Sequence, residues 1–239
     1  MALVLLAACH SRLCRDPHVW TPYEYGAVEL STPPAIDGDL SDAAWRKVPW
    51  TRDFFDSMSF ELPRQRTRAK LAWDRQNLYL AFEVEDDDIQ TPYVRDDEPL
   101  YNSEVAEIFL DADDNRRTYD EIEISPANKL FDASFVARRV GMDLSWSSGT
   151  QHAVKVDGTL NDPRDVDQGW TAELAIPFAR LTAVPHVPPR VGDRWRFDLF
   201  RLDHERTGVY GMAVEPVMVG DFHNLSRYGM LRFLGPAGR

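Results

Sequence analysis

Residues 68–85 alternate apolar and polar side chains through two runs joined by a turn, and this period of two constrains the fold more than any other feature. Ala69, Leu71 and Trp73 face one way, Asp74-Arg75-Gln76-Asn77 supplies the turn, and Leu78, Leu80, Phe82 and Val84 face inward again. Side chains on a strand point alternately to opposite sides, so such a segment buries one face of a hairpin. The pattern recurs at 25–30, 119–125, 129–135, 152–156, 170–176, 195–202 and 230–233. Helical signals are confined to single turns: one carrying Ala44, Trp45 and Val48 with Ser41 or Asp42 as cap, and one at 177–181. Eight to ten short strands with so little helix predict an all-β chain, specifically an antiparallel β-sandwich of jelly-roll or immunoglobulin-like type.

One strand of this set carries chemistry. In residues 103–114, Ala106, Ile108 and Leu110 alternate with Glu107, Phe109 and Asp111. The first three belong to a packed face, and Glu107 then sits in mid-strand on the opposite one. The next strand places Glu121 and Glu123 on its own non-core face. If the two strands pair, three carboxylates share one side of the sheet near Tyr101. Crowded carboxylates suit a cation or a polyol, because mutual repulsion raises the cost of leaving them unpaired; a solvated sheet face is the open alternative. The turn between the strands, Asp111-Ala112-Asp113-Asp114-Asn115, offers hard oxygens suited to calcium but lacks EF-hand spacing, so a plain acidic turn stays open too.

Composition narrows the partners. A chain of 239 residues with 44% hydrophobic and 11% aromatic side chains can bury one sizeable core. A formal charge of -12 argues against nucleic acid, since the densest basic run, Arg64, Arg66, Arg68 and Lys70, has the spacing of one wet strand face. Residues 1–20 read as a leader and tether and 21–239 as one domain, taken to be monomeric. Leu6-Ala7-Ala8-Cys9 resembles the lipobox of bacterial lipoproteins, in which the Cys is acylated. No Lys or Arg precedes Cys9, so a start codon further upstream is the simplest repair. The expectation is a protein exported across a bacterial inner membrane and lipid-anchored at Cys9 in the cell envelope, meeting the membrane only through that anchor.

Five motifs in order carry a resemblance: Ile36-Asp37-Gly38 with Trp45; Ala72-Trp73-Asp74 with Leu78-Tyr79-Leu80; Glu107-Ile108-Phe109-Leu110-Asp111; Gly169-Trp170 with Glu173-Ala175-Ile176-Pro177; and Arg227-Tyr228-Gly229 with Leu231. Together they resemble the family 9 carbohydrate-binding module and its wider DOMON-like relatives, over about residues 25–235. That resemblance implies a β-sandwich that binds sugar without catalysis, between two aromatic platforms, with structural calcium. Its two platform Trp positions fall on Tyr101 and Phe222, and its hydrogen-bonding Glu on Glu107. Where the family has an Arg on the next strand this chain has Glu123, which exchanges five donors for an acceptor. His223 and Asn224 follow the second platform and join the expected ligand contacts with Glu121 and Glu123.

The sequence offers no Gly-rich phosphate loop for a nucleotide or flavin, no zinc-type His/Cys cluster and no nucleophile elbow. Paired carboxylates could serve a glycosidase, but nothing in the sequence fixes their separation. A second class stays open, because DOMON-like relatives include haem-binding electron-transfer domains with Met and His axial ligands. Met212, Met218, Met230 and His223 are the candidates here, and strand Met is more often core filler.

Overall fold

The computed structural model describes residues 20–205 and 208–236; Cys9 and Cys14 lie outside them. The described chain is all-β with short 3-10 turns. Its strands are β1 (Glu24–Glu29), β2 (Phe55–Asp56), β3 (Thr67–Trp73), β4 (Asn77–Glu85), β5 (Val105–Asp111), β6 (Tyr119–Ile124), β7 (Leu130–Phe135), β8 (Gln151–Asp157), β9 (Gly169–Pro177), β10 (Arg194–Glu205), β11 (Gly208–Ala213) and β12 (Gly229–Pro236). Ten of these form one ladder in the order β7-β6-β5-β10-β12-β1-β3-β4-β9-β8, and β11 with β2 branches from β10.

Two details depart from the expectation of an antiparallel sandwich. Pairing is mixed: β1 runs parallel to both β12 and β3, with Glu24 opposite Met230 and Val28 opposite Ala72. Alternation reports which face a residue takes and is the same for either strand direction, so it carries no information on this point. Two strands also lack a sequence signal. β2 is two residues long, and β11 contains Gly208 and Gly211, which weaken a strand pattern.

The sheet curls so that its two wings share a core. Ile108, Ile122 and Ile124 from β5 and β6 join Leu71, Leu80 and Leu174 from β3, β4 and β9 in one apolar cluster, though these strands lie far apart in the ladder. The opposite face of β5 to β7 is covered as well. Leu100, Val217, Leu225 and Tyr228, supplied by the connecting segments, pack there with Phe109, Tyr119, Phe131, Phe135 and Phe200. Every residue of β5 and β6 is buried, so the face expected to be partly polar lies inside the protein.

The first motif proves structural. Trp45 is fully buried, and its indole donates to Glu173 Oε1 at 2.6 Å. Glu173 Oε2 accepts from the backbone N–H of Asp37 and Gly38 at 3.0 and 2.8 Å. Gly38 has φ +84°, and a Cβ there would stand 2.8 Å from backbone atoms of β8, so the turn requires glycine. The 3-10 turn Trp45–Lys47 has no side-chain cap; Asp42 instead receives the Ala35 N–H at 2.7 Å. The second turn, Phe178–Arg180, lies within the expected 177–181.

Candidate functional site

The cross-strand register assembles a row of four side chains on the covered face. Glu107 in β5 stands opposite Phe200 in β10 on one side and Glu123 in β6 on the other, and Glu123 stands opposite Phe131 in β7. Residues directly opposite share a face, so the row reads Phe200, Glu107, Glu123, Phe131. Three inter-strand steps span about 14 Å. Each aromatic end carries a further ring. Phe222 stacks on Phe200 with centroids 4.2 Å apart and planes at 9°, and Tyr101 meets Phe131 edge-on at 5.3 Å. Tyr101 and Phe222 therefore rise at the two ends of one row with carboxylates between them.

A cleft of about 520 Å³ meets this row at Glu107 and has Tyr101 and Phe222 in its lining. Tyr101, Glu107, Phe109, Glu121, Phe135, Phe222 and His223 line it, with Arg139, Asp221 and Met142 from the surrounding loops. Tyr101 is 42% exposed, presented by a short turn that Leu100 anchors in the core. Gly211 clears space for Phe222: a Cβ there would come within 3.1 Å of the Phe222 ring. At the rim, Asp221 is gripped by Arg138 at 2.6 Å and by Arg139 at 2.8 Å.

Glu107, Glu121 and Glu123 are 1%, 4% and 0% exposed, and each offers an oxygen within 4.8 Å of the others. Four of their six oxygens are buried with no hydrogen-bonding partner. Burial first, and mutual repulsion second, push Glu107 and Glu123 well above the ordinary carboxylate range. Glu121, whose burial is offset by neighbouring Glu123 and Arg139, is raised to about 7. The cluster holds protons at neutral pH because ionising it would place uncompensated charge in a medium of low polarisability.

The other expected site residues divide. His223 lines the cleft, but its Nδ1 shares a 2.6 Å hydrogen bond with the Tyr119 hydroxyl, and its ring packs edge-on against Phe109 and Phe135. Burial lowers its pKa to about 4, so it is a neutral imidazole. Asn224 has both ends of its amide engaged, Nδ2 donating to Val217 O and Oδ1 accepting from Ser226. In the acidic turn, Asp111 accepts the N–H groups of Asn115 and Arg116, Asp113 is bound by Asn115, and Asp114 pairs with Arg196 at 2.6 Å. Those oxygens already have partners. Met212 packs in the main core, while Met218 is exposed.

A second acidic group has no counterpart in the sequence reading. Asp86, Glu104 and Asp203 bring oxygens within 4.8 Å of one another, all buried. Arg201, fully buried, reaches Asp86 at 2.9 Å and Asp203 at 3.3 Å, and also donates to the Glu85 carbonyl. By composition Glu85 to Asp88 is a solvated acidic loop, whereas Asp86 is an inward-facing ion-pair partner. Arg139 and Asp221 escape sequence reasoning as well, since isolated surface charges in loops carry no periodic signal.

The model of the "Carbohydrate family 9 binding domain-like" family matches residues 36–235. A family 9 carbohydrate-binding module from Caldicellulosiruptor kristjanssonii, solved in complex with cellotriose, is similar with a TM-score of 0.64 and 19% identity, over 90% of this chain and 95% of that one. The glucose complex of a family 9 module from the same organism gives 0.64 and 19%, over 91% and 98%. A carbohydrate-binding candidate from Bacteroides uniformis gives 0.73 at 12% identity, over 89% and 100%. None of the curated proteins compared with it matches the chain. With one family model spanning residues 36–235 and this fold, the chain belongs to the carbohydrate family 9 binding domain-like family.

Proposed function

We propose that the protein binds a saccharide without turning it over, in the cleft between Tyr101 and Phe222. The observation that carries this reading is the row itself, with an aromatic ring at either end and buried carboxylates between. Sugar rings present C–H faces that pack on aromatic faces, and their hydroxyls donate to carboxylates. Membership of a binding-module family supports a role without catalysis, as do the carboxylates, which form one crowded cluster instead of two separated groups with distinct tasks. Glu107 and Glu121 face the cleft and take the hydrogen bonds, with Glu123 behind them. His223 shapes the aromatic wall.

A glycan array followed by calorimetry tests the reading. Binding to at least one saccharide is expected, and Tyr101→Ala and Phe222→Ala should each weaken it by about tenfold or more. Unchanged affinity in both variants, or no saccharide bound, would refute the assignment. The same proposal places the domain in the cell envelope through acylated Cys9. A clickable palmitate analogue should label the wild type and leave Cys9→Ala unlabelled.

A further inference from the structure

We propose that the carboxylate floor of this cleft takes the ammonium group of an amino sugar, a refinement that rests on the saccharide reading of the same cleft. Ionised carboxylates only accept hydrogen bonds. Glu107, Glu121 and Glu123 hold protons when no cation faces them and become an all-acceptor surface once a cation displaces those protons, and four of their oxygens are buried with no hydrogen-bonding partner in the protein. Desolvated acceptors of this kind call for a ligand rich in donors and positive in charge. A neutral hydroxyl supplies one donor and no charge; an ammonium supplies three donors and a full charge.

The geometry fits that group. Around a tetrahedral ammonium, acceptors at hydrogen-bonding distance stand about 4.6 Å from one another. Here three carboxylates offer one oxygen each, no two of them more than 4.8 Å apart, so a single ammonium can reach all three. A calcium ion takes six to eight oxygens, and three carboxylates reach six only if every one binds through both oxygens. The protein's nearby cation does not fill the role, because Arg139 is held at the rim by Asp221 at 2.8 Å.

The walls specify what carries the amine. Tyr101 and Phe222 offer faces for the C–H side of a pyranose, and aromatic faces also attract a cation beside them. A bare metal ion or small alkylamine would leave those faces uncovered. A hexosamine with a free amino group covers both floor and walls. Its N-acetyl form has an uncharged amide with a single donor and an added acyl group, so the floor discriminates against it.

Isothermal titration of the full chain with glucosamine, N-acetylglucosamine and glucose tests this, at a pH where the amine is protonated. Glucosamine should bind about tenfold or more tighter than either of the others. In Glu107→Gln and Glu121→Gln, which keep side-chain shape, that preference should collapse toward parity. Neutral sugars binding as tightly as glucosamine would overturn the amine assignment and leave the saccharide reading standing. No saccharide binding at all would remove both. A preference that survives unchanged in both variants overturns the assignment to this floor, and so does stoichiometric calcium uptake that vanishes in Glu121→Gln. The wild-type comparison among the three sugars decides the matter even if a variant fails to fold.

Discussion

Two groups of three buried carboxylates occupy the described residues, and they differ in whether the protein supplies the counter-charge. Asp86, Glu104 and Asp203 surround Arg201, whose guanidinium lies 2.9 and 3.3 Å from two of them. Glu107, Glu121 and Glu123 enclose no side-chain cation, and Glu107 and Glu121 line a cleft with Glu123 behind them. The first arrangement has its cation within the chain and reads as structural, with one oxygen each of Glu104 and Asp203 left without a hydrogen-bonding partner. The second is complete only when protons or a ligand are present, which is what distinguishes a binding floor from a buried ion-pair network. Glu104 shows how unevenly the compensation is shared out: it lies beyond the direct reach of Arg201, and burial lifts it to about 10.

Removing the internal cation gives the largest expected effect. Arg201→Met leaves three carboxylates buried together and should cost about 3–5 kcal/mol in urea unfolding. A loss under about 1 kcal/mol would mean that the two groups are equivalent and that Arg201 is dispensable.

The uncompensated group should show itself through pH. Glu121 has a folded pKa near 7, above its unfolded value of 4.5. The folded state then binds more protons than the unfolded one between these values, so stability falls as pH rises through that window. Urea midpoints at either end of the window should differ less in Glu121→Gln than in the wild type; identical pH dependence in the two proteins would rule out Glu121 as the source of the decline. Glucosamine, if bound as proposed, should reduce the wild-type decline at high pH.

His223, on the wall of the same cleft, works in the opposite direction. Its folded pKa is near 4 and its unfolded value 6.5. The unfolded state takes the proton first, so stability falls as pH drops from 6.5 toward 4, by roughly 2 kcal/mol after allowance for partial solvent access. His223→Gln should flatten the acid side of the stability curve and leave the alkaline side unchanged.

The smallest expected effect on folding is at Tyr101. Its ring is 42% exposed, so Tyr101→Ala should cost under about 1 kcal/mol of stability while lowering saccharide affinity about tenfold. Phe222→Ala, which also unstacks from Phe200, should cost more stability for a similar loss of binding. Equal destabilisation by both would place Tyr101 in the packing instead of at an open wall.

The all-β class, the hairpins at 68–85 and 119–135, and the shared face of Glu107, Glu121 and Glu123 were all legible in the chain. Each follows from a local rule: alternation assigns faces, and short turns pair neighbours. What local rules omit is direction and coverage. The parallel placement of β1 between β12 and β3 joins segments from opposite ends of the described chain. Burial of the second face of β5 and β6 depends on Leu100, Val217, Leu225 and Tyr228 arriving from elsewhere. That coverage turned a carboxylate face that could have been wet into one that is desolvated. Long-range packing also brought Phe222 onto Phe200, and Arg201 among Asp86 and Asp203. The sequence by itself determined which residues could share a face. The tertiary structure alone decided which acidic group received a cation and which was left open to a ligand, because burial and charge compensation depend on segments far apart in the chain.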